Sequence, residues 1–237
     1  MRPINTVVIG RLYFNKTLFQ FEDCLRRMLA VAQASGIVSH LHIETTEGMA
    51  VDMARDRVVE QALTKHNADA VIWLDTDMIF PDHTLVRLIE LSNMGYPIAA
   101  GLYRRAIGQK NLLCYQTVND IVANRPAPMA ELRANVNEHG VVPVALVAGG
   151  FSIVRNEVYQ ATAYRSNEGK RGWYCNWDFL FGGGSIGEDS FFIKHASSKG
   201  FKPVTDPELH AVHWPSLTSP VPVEEGDPLL RWCESRS

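Results

Sequence analysis

Ala70-Val71-Ile72-Trp73-Leu74-Asp75-Thr76-Asp77 is the stretch that decides how the rest of the chain reads. Ala70 to Leu74 is an unbroken apolar run, the pattern of a strand buried on both faces of a parallel sheet. It stops at two aspartates. In open α/β sheets ligands bind beyond the carboxyl ends of the strands, and in extended chain residues i and i+2 point to the same side. Asp75 and Asp77 are therefore placed to offer two carboxylates to a hard divalent cation that also takes substrate phosphates. The structural alternative is a turn with N-capping aspartates.

The elements around this strand support the parallel reading. Val7-Val8-Ile9-Gly10 is a short β-branched strand, and Phe21 to Ala34 carries Phe21, Leu25, Met28, Leu29 and Ala32 at helical spacing before Gly36. Ile37 to Ile43 alternates as a second strand, and Val51, Ala54, Val58, Val59, Ala62 and Leu63 mark one helix face. After the aspartates, Asp82 is expected to cap a helix with Leu85, Leu88, Ile89 and Leu91 inward, closed by Gly95, and Pro97 to Leu102 forms a fourth strand. The order βαβαβαβ predicts a three-layer α/β fold with a mostly parallel sheet. Beyond Arg105, Leu112 to Val118 and Val144 to Val154 read as strands without regular helices between them, a mixed or antiparallel addition. Residues 119–140 and 165–187 read as long loops, the second a candidate lid, Asp189 to Lys199 as a helix, and the proline-bearing tail from Pro215 as extended.

Bulk properties narrow the function. The 237 residues carry 23 basic and 26 acidic side chains, a net charge of −3, without the basic surplus of a nucleic-acid-binding protein. Arg104, Arg105 and Lys110 are a local basic patch or a solvated loop. Cys24, Cys114, Cys175 and Cys233 form no CxxC pair, so neither a zinc ribbon nor a disulfide framework is expected, and a reducing cytoplasm is the expected location. The first ten residues are too short and too polar for a signal core, and no apolar run reaches the ~18 residues of a membrane span.

Two further groups could do chemistry. Glu188 and Asp189 open a helix beside glycines 182–184, where the helix N-terminus favours ionised carboxylates. Such a carboxylate could deprotonate an acceptor hydroxyl, or serve only as a helix-stabilising charge. A neutral imidazole could complete a metal site at Asp77, with His210 and His213 as rivals that spacing does not separate.

Taken in order, four motifs resemble the GT-A glycosyltransferases, in particular family 2-like transferases of bacteria and phages. Met53-Ala54-Arg55-Asp56-Arg57-Val58-Val59 looks like that family's helix start, and Val71 to Pro81 looks like its metal motif. Ala148-Gly149-Gly150-Phe151 through Val158 is similar to the donor-sugar segment. Gly187-Glu188-Asp189 through Gly200-Phe201, Asp206-Pro207 and His213 resembles its ending. The resemblance covers roughly residues 50–214 and implies one domain over 1–237, with a nucleotide-binding half (1–105), an acceptor half (106–214) and an extended tail (215–237).

It also implies roles. Asp75 would face ribose and metal, Asp77 and His213 would bind Mn²⁺ or Mg²⁺, and Asp189 would be the base of an inverting enzyme with Glu188 supporting the acceptor. Arg55 would lie near the nucleotide base or phosphates, Glu44 would stand where an Asp usually touches the base, and Gly149 and Gly150 would support the donor. The segment Val8 to Phe14 departs from the family's pattern after the first strand. A UDP-sugar is expected ahead of a GDP-sugar. The acceptor is open among glycan, lipid-linked sugar, protein and modified base, with Trp173, Trp177 and Trp214 as candidate stacking faces. A DxD magnesium phosphatase and a non-catalytic nucleotide-sugar-binding module are the rival readings. Ile79, and the motif's place after the third strand, count against the phosphatase.

Overall fold

The computed structural model describes residues 2–13, 19–104, 112, 114–165, 171–174 and 187–213. β1 (Thr6–Tyr13), α1 (Phe19–Ser35), β2 (His40–Glu47), α2 (Val51–Thr64) and β3 (Ala70–Asp75) follow the expected alternation. They continue into β4 (Met78–Ile79), α3 (Thr84–Asn93) and β5 (Ile98–Leu102). Next come β6 (Cys114–Tyr115), α4 (Val118–Val122), α5 (Met129–Ala134), β7 (Val142–Pro143), β8 (Leu146–Val147) and β9 (Phe151–Arg155). The chain then forms α6 (Asn156–Thr162), β10 (Tyr164–Arg165), β11 (Arg171–Gly172), α7 (Glu188–Ser198), β12 (Val204–His210) and β13 (Val212–His213).

The central sheet has seven strands in the order β2-β1-β3-β9-β5-β12-β7. β1 pairs in parallel with β2 and β3, and β12 in parallel with β5. β9 runs antiparallel between β3 and β5, and β7 is an antiparallel edge. The result is a mostly parallel, Rossmann-like α/β sandwich, as the pattern before Leu102 predicts. The antiparallel addition is interleaved: β9 fills the centre of the sheet. All five of its residues are buried, which is why Phe151 to Arg155 shows no polar-apolar alternation.

Two apolar layers cover the sheet. One joins Val7, Ile9, Ile72, Leu74 and Ile153 to α1 and α3 through Phe21, Met28, Leu85 and Leu88. The other joins Val8, Val71, Trp73 and Val154 to α2, α6 and α7 through Val58, Val59, Val158 and Phe192.

Several local expectations are corrected. The second strand is displaced to His40–Glu47. The helix after the aspartates is not capped by Asp82: His83 holds the N-cap position, and Asp82 accepts from Arg27 Nε at 2.8 Å. The strand expected over Val144–Val154 is broken into β8 and β9 at Ala148-Gly149-Gly150, and that over Leu112–Val118 shrinks to β6 plus a bridge from Leu112 to Arg104. Residues 119–140 contain two short helices. The first is started by a capping box in which Thr117 Oγ1 accepts from Asp120 N–H and Asp120 accepts from Thr117 N–H. The expected lid falls largely, and the extended tail, Trp177 and Trp214 wholly, outside the described residues. Cys24 and Cys114 are buried and form no disulfide, and no described helix is long and apolar enough to cross a membrane.

Candidate functional site

The carboxyl ends of the parallel strands carry the candidate chemistry. Asp75 ends β3, and its N–H is held by the Gly150 carbonyl at 2.9 Å. Asp189 stands in the first turn of α7, where the Gly149 N–H donates to its Oδ2 at 2.8 Å. The two glycines between β8 and β9 are seats for these carboxylates: a Cβ on Gly149 would overlap Asp189 Oδ1, and one on Gly150 would overlap Asp75 Oδ2. The backbone approaches both acids more closely than any side chain allows.

One guanidinium lies behind this group. Arg55, fully buried in the second turn of α2, directs Nη2 at Asp75 Oδ1 and Nε at Glu188 Oε1, both at 3.4 Å, with Asp189 Oδ1 at 3.7 Å. Its cation rests on the Trp73 ring (4.9 Å) and near the Tyr174 ring (5.6 Å), and Trp73 Nε1 is fixed by a hydrogen bond to Tyr159 Oη. Burial acts to lower the Arg55 pKa, yet the charges of Asp189, Asp75 and Glu188 outweigh it and raise it. One cation thus serves three carboxylates. Burial pushes Asp75 up to about 6 against the pull of Arg55. Burial, then the charge of Asp189, pushes Glu188 up to about 7. The expectation that the helix N-terminus keeps this pair of acids ionised is corrected for Glu188, where desolvation outweighs the dipole.

The fold also places the two histidines differently. β13 pairs antiparallel with β4 so that His213 faces Met78, next to Asp77. His210 lies on β12 opposite Leu102, and its Nε2 meets the Pro207 carbonyl. With Nδ1 donating to the Arg104 carbonyl at 2.9 Å, a neutral His213 ring would turn a lone pair on Nε2 toward Asp77 Oδ2, 3.2 Å away, and a protonated ring would ion-pair with it. Two acceptors facing each other call for a cation or proton between them, and a carbonyl that accepts from Nδ1 is the usual way to orient a metal-binding imidazole. Oxygen from Asp75 and Asp77 with nitrogen from His213 fits Mn²⁺ or Mg²⁺ completed by phosphate oxygens. Among the described residues no three such side chains converge as a ready-made metal cluster. The ion would have to draw Asp75 toward the Asp77–His213 pair.

Arg55, Asp75, Asp77, Gly149, Gly150, Glu188, Asp189 and His213 are thus brought to one end of the sheet. Glu44 is not. Its Oε1 accepts from Lys65 Nζ (2.7 Å) and is held by His66 Nε2 (2.6 Å), and its register partner is Gly10, below the rim. Thr46 is the β2 residue level with Asp75, both facing Leu12 in the register, and its buried hydroxyl has no hydrogen-bond partner. Sequence reading missed it, although a polar β-branched residue near the carboxyl end of a parallel strand is a usable signal. Trp173 is not a stacking face: it is buried, with Nε1 donating to the Tyr159 carbonyl at 2.8 Å and N–H to Asp56 at 2.9 Å. Of the basic patch only Arg104 is described; its Nε is buried without a hydrogen bond.

No protein-family model and no curated protein matches the sequence. Solved structures do match. A197 from STIV superposes with a TM-score of 0.58 at 14% identity, over 93% of this chain and 95% of that one. GalNAc-T7, determined with UDP, GalNAc and Mn²⁺, superposes with a TM-score of 0.55 at 12% identity, over 95% of this chain and 45% of that one. The fold is GT-A. At these identities the likeness is one of architecture, and in the GT-A sheet of this chain the acidic group occupies the carboxyl rim, the ligand-binding edge of open α/β sheets.

Proposed function

We propose that the protein is a metal-dependent glycosyltransferase that moves a sugar from a nucleotide diphosphate sugar to an acceptor hydroxyl. The observation that carries this reading is the excess of carboxylates at the rim, where Asp75, Glu188 and Asp189 share the single buried guanidinium of Arg55 while Asp77 faces His213 Nε2. Such a group is incomplete without a cationic ligand. Asp77 and His213, with Asp75, would hold Mn²⁺ or Mg²⁺, which when bound would neutralise charge on the departing diphosphate.

The chain's own residues supply the rest. Gly149 N–H fixes Asp189 Oδ2, and Oδ1 lies 3.7 Å from Arg55 Nε. Asp189 would take the acceptor's proton as the acceptor oxygen bonds to the anomeric carbon and the bond to the diphosphate breaks, an inverting displacement. Glu188 would support the acceptor. Arg55, too deep to reach a phosphate directly, would position the three acids. Thr46 stands where a nucleoside contact would fall, in place of Glu44. UDP, the nucleotide in the GalNAc-T7 structure, is the first carrier to test, GDP the second.

A panel of nucleotide sugars with Mn²⁺ and an acceptor library, read by mass spectrometry, tests the reading. The expected result is a glycosylated product with release of the nucleoside diphosphate. Hydrolysis of simple phosphoesters would support the phosphatase alternative instead, and binding without turnover the non-catalytic module.

A further inference from the structure

Tyr103 follows β5 directly, at the carboxyl end of a central strand, much as Asp75 closes β3. It is 6% exposed, and its ring meets the His213 ring edge-on, centroids 5.7 Å apart at 65°. Its hydroxyl makes no hydrogen bond to any described residue. Packing does not explain that hydroxyl. The apolar layer it joins uses Phe21, Phe80 and Phe151 where an aromatic ring alone is needed. Asp75 and Asp189 lie near enough to act on it electrostatically, and a tyrosine hydroxyl is a neutral O–H donor at neutral pH. A donor held among acids, yet bonded to none of them, is suited to an acceptor that arrives with a ligand.

We propose that Tyr103 is a substrate-binding residue whose hydroxyl donates a hydrogen bond to a diphosphate oxygen of the bound nucleotide. This rests on the nucleotide-sugar reading above. The diphosphate is favoured over the sugar because the Tyr103 ring lies against His213, whose Nε2 faces Asp77, the pair that would gather the cation and the phosphates. A neutral donor is the right chemistry there: it serves an anionic oxygen without competing with the cation for the carboxylates.

Tyr103→Phe keeps the ring and its contact with His213 and removes only the donor. Calorimetric titration with UDP, and with GDP, in Mn²⁺ is expected to show affinity weaker by about tenfold or more, as for a lost hydrogen bond to a charged acceptor, at unchanged thermal stability. Uridine, which lacks the diphosphate, should bind the two proteins alike. Equal UDP affinity in wild type and variant overturns the proposal, as does an equal loss for uridine, which would mark a distorted pocket. A loss confined to the nucleotide sugar, with UDP unchanged, would move the contact to the sugar and overturn the diphosphate assignment. If the wild-type protein binds neither UDP nor GDP in Mn²⁺, the glycosyltransferase reading itself falls.

Discussion

Asp69 and Asp75 bracket the same strand and live in opposite surroundings. At the amino end, Asp69 accepts from the backbone N–H groups of Asn5 (2.8 Å) and Thr6 (3.0 Å) and from Arg2 (2.6 Å). Nearby Arg155 donates to the carbonyls of Arg2 and Ser92, and Asn156 to that of Ala68. At the carboxyl end, Asp75 shares one long contact with Arg55, and its pKa is pushed up to about 6 by burial. Among the described residues, the ionisable side chains that keep a buried atom without a hydrogen bond are Arg11, Arg55, Arg104 and Asp189, and all four belong to the carboxyl end. The neutral Thr46, Thr84, Ser92 and Asn156 also keep one such atom each, so imperfect pairing is not confined to the rim. Buried polar groups are ordinarily satisfied. Asp69 is thus fully paired as folded, whereas Asp75, Glu188 and Asp189 share one guanidinium.

The largest effect that could break this contrast is at Asp189. Asp189→Asn keeps the size of the side chain and a hydrogen-bonding oxygen but cannot take a proton. Turnover should fall by ~10²–10⁴-fold with donor affinity nearly intact, measured as kcat against donor KM. Wild-type turnover would return Asp189 to a helix-stabilising charge.

Asp69→Ala should do the reverse. Leaving the Asn5 and Thr6 N–H groups and Arg2 without their acceptor should cost about 2–3 kcal/mol in urea unfolding, while nucleotide affinity per folded molecule stays at the wild-type level. A binding defect in that variant would mean the two ends are not independent.

Gly150→Ala sharpens the comparison between scaffold and site. The new Cβ would displace the Asp75 carboxylate, the end of a side chain and not backbone, so the melting temperature should shift little while Mn²⁺ affinity falls by about tenfold. Unaltered Mn²⁺ binding would separate Gly150 from the metal site.

The smallest effect is in pH. Because Glu188 is raised from its ordinary 4.5 to about 7, the folded protein holds this proton more tightly than the unfolded chain does. Its contribution is present below the unfolded value and lost as pH rises toward about 7, so metal-free stability should decline across that window. Glu188→Gln should flatten the decline and be the more stable protein at pH 8. An unchanged slope would assign it to another group.

The fold was largely legible because one signal dominates it. The apolar run from Ala70 to Leu74 and the helical faces of α1 and α2 are local patterns. The interleaving of β9 between β3 and β5 is not, since strand order depends on contacts far apart in sequence. At the site, Asp75, Asp77, Glu188 and Asp189 were readable from position at element ends. The choice of His213 over His210 needed the β4–β13 pairing. Glu44, which the resemblance would set near the base, is held by Lys65 and His66 level with Gly10, whereas Thr46 is level with Asp75. Tyr103, proposed above as a substrate contact, has no local signature in the sequence, since a tyrosine after a strand is ordinary.

The central claim is that the acidic rim is completed by a divalent cation that brings in a nucleotide diphosphate. Calorimetric titration of UDP and GDP, with Mn²⁺ and then with excess chelator, tests it most directly. The account predicts binding in Mn²⁺, its loss in chelator, and the same loss in Asp77→Asn with the metal present. Equal affinity with and without the cation, or binding by Asp77→Asn at wild-type strength, would contradict it.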